Sequence, residues 1–182
     1  KDGEEYFFNL IDTPGHVDFT GKVTRALRAI DGVVIVVDAV EEIMAQTEIL
    51  MRQAFEERVK PVLFINKIDR LINELQFSTE QIQKKLDHII SSFNDLVEVY
   101  CEASYKDKWK IDPKMGNVVF GSALDGWGFN LDIARDKNIK FQDIIDIYRK
   151  RKSRDLGKSL PVYKAIFEMA IKCLPNPQEA QV

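Results

Sequence analysis

The sequence has few of the residues that build disulfide or zinc frameworks. Its 182 residues include two cysteines, Cys101 and Cys173, and two histidines, His16 and His88. No Cys-x-x-Cys pair occurs, and the two cysteines are far apart, so a zinc site is not expected. Two reduced thiols are typical of a cytosolic protein, and we therefore expect a cytoplasmic location.

Long apolar runs and a strong net charge are also missing. No run approaches the about 20 apolar residues that span a bilayer, which argues against a membrane protein. The net charge is −3, with 45% hydrophobic and 30% charged residues, the balance of an ordinary soluble domain. The one concentrated basic run, at residues 149–154, fits either a solvated helix end or an RNA contact.

Short apolar runs alternate with helical patterns along the chain. Runs at residues 33–38, 61–66 and 118–122 predict buried parallel strands, and a similar run at 6–12 predicts another. Helices are predicted at 17–30, 45–58, 141–150 and 160–173, and a further one begins at the capping box of Ser78 and Gln81. This order predicts an α/β fold, a parallel sheet with helices on both faces.

Asp12-Thr13-Pro14-Gly15-His16 begins at the last residue of the strand predicted at 6–12. A carboxylate at a strand end can hold Mg²⁺ through a water molecule, since this ion keeps much of its hydration shell. Gly15 lets the backbone N–H approach a phosphate oxygen closely, and His16 could orient an attacking water. The alternative interpretation is a turn with an incidental histidine.

Asn66-Lys67-Ile68-Asp69 begins at the last residue of the strand predicted at 61–66. The Asp69 carboxylate can accept hydrogen bonds from N1–H and the exocyclic amine of guanine, which adenine does not offer in that place. Asn66 can bridge the base to neighbouring loops, and the aliphatic stem of Lys67 can lie along the ring. The alternative is a charged turn between a strand and a helix.

Gly121-Ser122-Ala123 ends a third predicted strand. Small residues there would let the Ala123 backbone N–H meet guanine O6. Each element alone is weak, but three in this order, each at the end of a strand, predict a guanine-nucleotide site.

No complete Gly-x-x-x-x-Gly-Lys-Ser/Thr phosphate loop occurs in the sequence. The nearest match, from Gly15 to Gly21-Lys22, has the wrong spacing and is followed by Val23. We therefore expect a sheet that is incomplete at its N-terminal part. We also expect the chain, which begins at Lys1 with no methionine, to be a segment of a larger protein and inactive alone.

These motifs and their flanks resemble the G domain of the translational GTPases, in particular the elongation factor 2 branch. The resemblance lies in residues 9–19, 36–41, 61–70, 120–124, 126–127 and 174–177 and covers nearly the whole chain. Thr13 and Phe19 resemble the residues that the translocase branch of this family has at these positions. Departures from the family pattern are Glu42, where glycine is usual, Thr20 before Gly21-Lys22, and Asp125, where histidine is common.

The resemblance implies GTP or GDP and Mg²⁺ as ligands. It implies that Asp12 contacts the Mg²⁺ water and His16 positions the hydrolytic water. The nucleotide site would comprise Asp12, Thr13, Pro14, Gly15, His16, Asn66, Lys67, Ile68, Asp69, Ser122 and Ala123.

The resemblance also implies partners and an organisation. The partners would be the ribosome, through a large-subunit rRNA loop and stalk proteins, and the remaining domains of the same factor. The organisation would be a core at 1–70, an inserted helical and polar subdomain at 71–117, and a C-terminal part of the G domain at 118–182.

Three functions are therefore compatible with the sequence. The first is the GTPase domain of a ribosomal translocation factor. The second is a related GTPase of ribosome maturation or splicing, and the third is a non-catalytic segment that presents 71–117 to a partner. Nucleotide binding separates the third from the other two.

Overall fold

A computed structural model of the protein describes residues 3, 5–13, 20–150 and 153–180. Its sheet has four strands in the order β1–β2–β3–β4. They are β1 (Gly32–Asp38), β2 (Lys60–Asn66), β3 (Val118–Ser122) and β4 (Trp127–Phe129). β1, β2 and β3 are parallel, and β4 runs antiparallel to β3. The strands predicted at 33–38, 61–66 and 118–122 are confirmed, whereas β4 was not predicted.

Ten α-helices occur within the described residues. They are α1 (Thr20–Leu27), α2 (Ala45–Glu56), α3 (Ile68–Asn73), α4 (Thr79–Tyr100), α5 (Lys106–Trp109), α6 (Leu131–Asp136), α7 (Phe141–Arg149), α8 (Ser153–Ser159), α9 (Val162–Cys173) and α10 (Pro177–Ala180). A 3₁₀ turn at Pro113–Met115 precedes β3. None of the helices that the structure describes is long and apolar enough to cross a membrane.

Alternation along β2 places helices on both faces of the sheet, because successive side chains of a strand point to opposite sides. Leu63 and Ile65 pack in the main core with apolar residues of α2, α3, α4 and α7. Val62 and Phe64 pack on the other face against Ala165 of α9 and its neighbours. The predicted α/β architecture with two covered faces is therefore confirmed.

Helix α4 begins at the predicted capping box. The Gln81 amide donates to Ser78 Oγ at 3.3 Å, and the Ser78 amide donates to Gln81 Oε1 at 2.8 Å. Its buried face consists of Ile82, Leu86, Ile89, Phe93 and Val97. These side chains belong to the same core cluster as the sheet. The division of the chain at 71 and 117 stays a prediction.

The strand predicted at 6–12 is wrong, because residues 5–13 form neither strand nor helix. Phe7 is 97% and Leu10 85% exposed, and Phe8 contacts only one ring, that of Phe167, among the aromatic pairs of the described residues. An apolar run becomes a strand only when its backbone groups find a neighbouring ladder. Within the described residues β1 pairs with β2 alone, and residues 6–12 form no ladder with its other edge.

The basic run at 149–154 begins where α7 ends. Arg149 is the last residue of α7 and pairs with Asp146 at 3.7 Å. Arg151 and Lys152 lie outside the described residues. The two interpretations of this run, a solvated helix end and an RNA contact, therefore stay predictions.

Candidate functional site

Two of the predicted motifs lie side by side at one edge of the sheet. Asn66 is the last residue of β2, and Ser122 is the last residue of β3. Because these strands are adjacent and parallel, with Ile65 opposite Phe120, their carboxyl ends open at the same edge. The structure thus brings together the two motif loops that are separated by more than fifty residues in sequence.

The Asn66 side chain ties the two loops together. Its Oδ1 accepts hydrogen bonds from the Lys67 amide at 2.8 Å and from the Ala123 amide at 2.9 Å. The predicted contact of Ala123 with a base oxygen would therefore have to share, or replace, the bond to Asn66. This bridge fixes the distance between the loops without any ligand.

Lys67 turns the chain sharply from β2 into α3. Its backbone is left-handed, with φ of 64°, a conformation that a non-glycine residue adopts at some cost in energy. Ile68 follows and is 0% exposed in the main core. Its side chain therefore anchors α3, so any contact of Ile68 with a nucleotide would be through its backbone.

Asp69 lies in the first turn of α3 and is only 7% exposed. Its Oδ1 is buried without a hydrogen-bond partner among the described residues. A buried acceptor without a donor destabilises a folded protein by about 1–3 kcal/mol. Such a group is satisfied when a ligand brings an N–H or O–H donor to it.

A cleft of about 500 Å³ opens beside these groups, lined by Asn66, Lys67, Asp69, Arg70, Glu74 and Leu124. Leu124 is 88% exposed and presents an apolar side chain at the cleft. The sequence did not single out Leu124, although its place directly after Ser122-Ala123 was a signal for it.

Buried residues hold the loop after β3 in place. Ser122 is 0% exposed, and its Oγ accepts a hydrogen bond from the Asp125 amide at 3.2 Å. Gly121 permits the close approach of β4 to β3, since a Cβ at this position would lie 2.3 Å from the carbonyl oxygen of Trp127. The small residues noted in the sequence therefore allow two backbones to approach closely.

A buried hydrogen-bond chain also supports this loop. The Trp127 indole N–H donates to the Tyr148 hydroxyl at 2.7 Å, and that hydroxyl donates to Asp125 Oδ2. Burial, together with the hydrogen bond to Asp125, raises the pKa of Tyr148 far above its usual range. The hydroxyl thus stays protonated, linking α7 to the loop that carries Ala123. Trp127 and Trp109 are both buried in the main core.

Asp38, the last residue of β1, borders the same edge. Its Oδ2 lies 2.8 Å from Lys67 Nζ and 3.4 Å from Arg70 Nη1. Its Oδ1 accepts hydrogen bonds from the amides of Val40 at 2.8 Å and Glu41 at 3.3 Å.

The structure describes only the first two residues of the motif from Asp12 to His16. Asp12 and Thr13 are exposed and belong to the irregular stretch at 5–13. Pro14, Gly15 and His16 lie outside the described residues. The roles predicted for these five residues stay predictions.

Comparison with known proteins defines the class of this domain. The family model of the elongation factor Tu GTP-binding domain matches residues 2–176. The chain therefore belongs to that family of GTP-binding domains, in agreement with its mostly parallel sheet.

The similar proteins narrow the comparison to one kind of factor. Elongation factor 2 of Sulfurisphaera tokodaii is 55% identical over 99% of this chain. Elongation factor 2 of Staphylothermus marinus is 53% identical over 98% of it, and that of Aeropyrum pernix 52% over 99%. The chain spans 25% of the length of each of these relatives.

Proposed function

We propose that the cleft at the ends of β2 and β3 binds the guanine base of GTP or GDP. In this proposal the chain is the guanine-reading part of a GTPase of the elongation factor 2 kind, which acts in translocation on the ribosome in the cytoplasm. One observation carries the proposal: Asp69 Oδ1 is buried and unpartnered at a cleft between two loops that Asn66 already joins.

The chemistry of Asp69 favours guanine over adenine. A carboxylate has only acceptors, and guanine offers it two adjacent donors, N1–H and the exocyclic amine. Adenine presents an unprotonated N1 and no amine at that place, so binding it would leave Asp69 desolvated and unpaired. Sites that hydrogen-bond a ligand group typically reject analogues lacking it by several orders of magnitude.

The remaining cleft residues fit a flat heterocycle. The Lys67 stem and the exposed Leu124 side chain provide apolar surface for the two ring faces. The Ala123 amide can donate to guanine O6 if it shares its bond with Asn66 Oδ1. The buried Ser122 would hold that loop in place.

For hydrolysis, we infer that Asp12 holds Mg²⁺ through water, that Thr13, Pro14 and Gly15 border the γ-phosphate, and that His16 orients the attacking water. A single carboxylate fits Mg²⁺, which takes most of its ligands from water and phosphate oxygens. The ion would supply charge neutralisation at the phosphates. The large-subunit rRNA loop and the stalk proteins are the partners proposed for this step.

The test of base recognition is a titration of this chain with GDP and with ADP, monitored by NMR through the amide signals of Ala123 and Asp69. We expect GDP to bind with a Kd on the order of 1 mM, about −4 kcal/mol, because the sequence contains no phosphate loop. ADP should leave both signals in place at the same concentrations. Equal shifts with ADP would refute guanine recognition, and micromolar binding of GDP would refute the role given to the missing loop.

The test of hydrolysis uses the full-length factor. His16→Ala should slow ribosome-stimulated GTP hydrolysis while GTP affinity is kept, because the imidazole orients water and does not hold the nucleotide. An equal loss of GTP binding would mean that His16 has a structural role.

A further inference from the structure

Asp38 does not line the cleft, yet its carboxylate contacts two residues that do, Lys67 and Arg70. β1 and β2 are in parallel register with Asp38 opposite Asn66. The neighbouring loop is fixed too, because the Ala39 amide donates to the Asn66 carbonyl at 2.8 Å. Asp38 is therefore attached to the strand that carries the guanine motif.

The Asp38 carboxylate is itself held in one orientation. Two backbone amides, those of Val40 and Glu41, donate to its Oδ1. This arrangement leaves Oδ2 for the cations, and the side chain is only 13% exposed. Such a turn built on an aspartate fixes the carboxylate before any partner arrives.

The partner of Oδ2 is the side chain proposed to lie along the base. Lys67 Nζ is 2.8 Å from Asp38 Oδ2, and the Lys67 side chain is 49% exposed. A free lysine samples many rotamers and loses that freedom when a ligand packs on its stem. Because the Lys67 ammonium is already held by Asp38, the Lys67 side chain has lost much of this rotamer freedom before the ligand binds.

We propose that Asp38 is a positioning residue that holds the Lys67 side chain ready for the guanine base through their ion pair. The inference rests on the proposed function of the cleft. Asp38 does not touch the base, and it acts by lowering the ordering that Lys67 undergoes when the base binds.

Electrostatics support the ion pair. Burial by itself would raise the pKa of Asp38, but hydrogen bonds from Lys67 and from the amides of Val40 and Glu41 outweigh it and hold the pKa below its usual value. The hydrogen bond to Asp38 raises the pKa of Lys67. Both groups are therefore charged at neutral pH.

The test is a double-mutant cycle with Asp38→Asn and Lys67→Met in this chain, read as the Kd for GDP by NMR titration. Asn keeps the Oδ1 acceptor for the two amides and removes the charge. Met keeps an unbranched stem and removes the ammonium. We expect Asp38→Asn to weaken GDP binding about threefold to tenfold, because Asp38 is mostly buried while Lys67 is half-exposed. In the Lys67→Met background the same change should have an effect under about 1.5-fold.

A matched control is Glu42→Gln, which removes one carboxylate from the same loop. Glu42 pairs with Lys85 at 2.5 Å and makes no ion pair with Lys67. GDP affinity should stay within about 1.5-fold of that of the unchanged chain, which excludes a general effect of loop charge.

The outcomes separate the inference from the function beneath it. If the unchanged chain does not prefer GDP to ADP, the proposed function fails. If it does, and Asp38→Asn binds GDP as well as the unchanged chain, the positioning role is refuted. An equal loss of affinity in both backgrounds also refutes it, because Asp38 would then support only the turn.

Discussion

The hydroxyl of Tyr148 is the most informative single group to remove from the support of the nucleotide loops. Tyr148→Phe keeps the ring, which is only 7% exposed, and deletes one oxygen. That oxygen accepts from the Trp127 indole at 2.7 Å and donates to Asp125. No other bond in α7 is changed, so the effect reports on this hydrogen-bond chain.

The expected loss follows from the burial of the two partners. Trp127 is 0% exposed, so its indole N–H would lose its acceptor with no access to water, which costs about 1–3 kcal/mol. Asp125 is half-buried and can rehydrate, so its loss adds less. The space left by one oxygen is too small to add a large cavity penalty. We therefore expect the free energy of unfolding to fall by about 2 kcal/mol.

Equilibrium unfolding in urea at neutral pH measures this change. The midpoint should fall with little change in the slope, because the surface exposed on unfolding is the same. Tyr163→Phe is the matched control, since Tyr163 is 64% exposed, and it should change the unfolding free energy by under about 0.5 kcal/mol. A similarly small effect of Tyr148→Phe would refute the argument that the buried chain supports the loop.

Three further predictions use the same assay. Above pH 10 a tyrosine ionises in the unfolded chain, whereas Tyr148 stays neutral in the folded chain. The unfolding free energy of the unchanged chain should therefore fall by about 1.4 kcal/mol per pH unit relative to that of Tyr148→Phe, so that the difference between the two chains shrinks. A difference that stays constant with pH would contradict the raised pKa of Tyr148. Gly121→Ala should lower the unfolding free energy by about 1–3 kcal/mol, because its Cβ would lie 2.3 Å from the Trp127 carbonyl oxygen; an unchanged midpoint would refute this. Phe93→Ala should lower it by about 3–5 kcal/mol in one transition, because α4 shares the core of the sheet; a separate transition for α4 would contradict a shared core.

Local patterns predicted the elements whose apolar residues repeat regularly. The strands β1, β2 and β3 came from β-branched runs, and α4 came from Ser78, Gln81 and its apolar spacing. The strand at 6–12 failed because its pairing depends on a neighbour, which no pattern within the run reveals. β4 has three residues, and its position depends on the close approach at Gly121.

The candidate site shows the same division. Asn66 ends β2, and Asp69 and Ala123 follow the ends of β2 and β3, so a parallel sheet alone predicts that they meet. Asp38 and Tyr148 act through contacts across 29 and 23 residues of sequence, from Asp38 to Lys67 and from Tyr148 to Asp125. Such contacts depend on the tertiary fold and have no local signature.

The central claim is that Asp69 reads the guanine base, and exchange of its chemistry tests it most directly. Asp69→Asn replaces one acceptor with an amide donor, which matches the 2-oxo group of xanthine in place of the guanine amine. The affinities of the variant for GDP and xanthosine diphosphate should therefore be measured by NMR titration, with the exposed Asp87→Asn on α4 as control.

We expect Asp69→Asn to bind GDP at least about tenfold more weakly and xanthosine diphosphate more tightly than the unchanged chain does. Asp87→Asn should change neither affinity. A variant that still prefers GDP would contradict the assignment of Asp69 to the base, and with it the proposed guanine site.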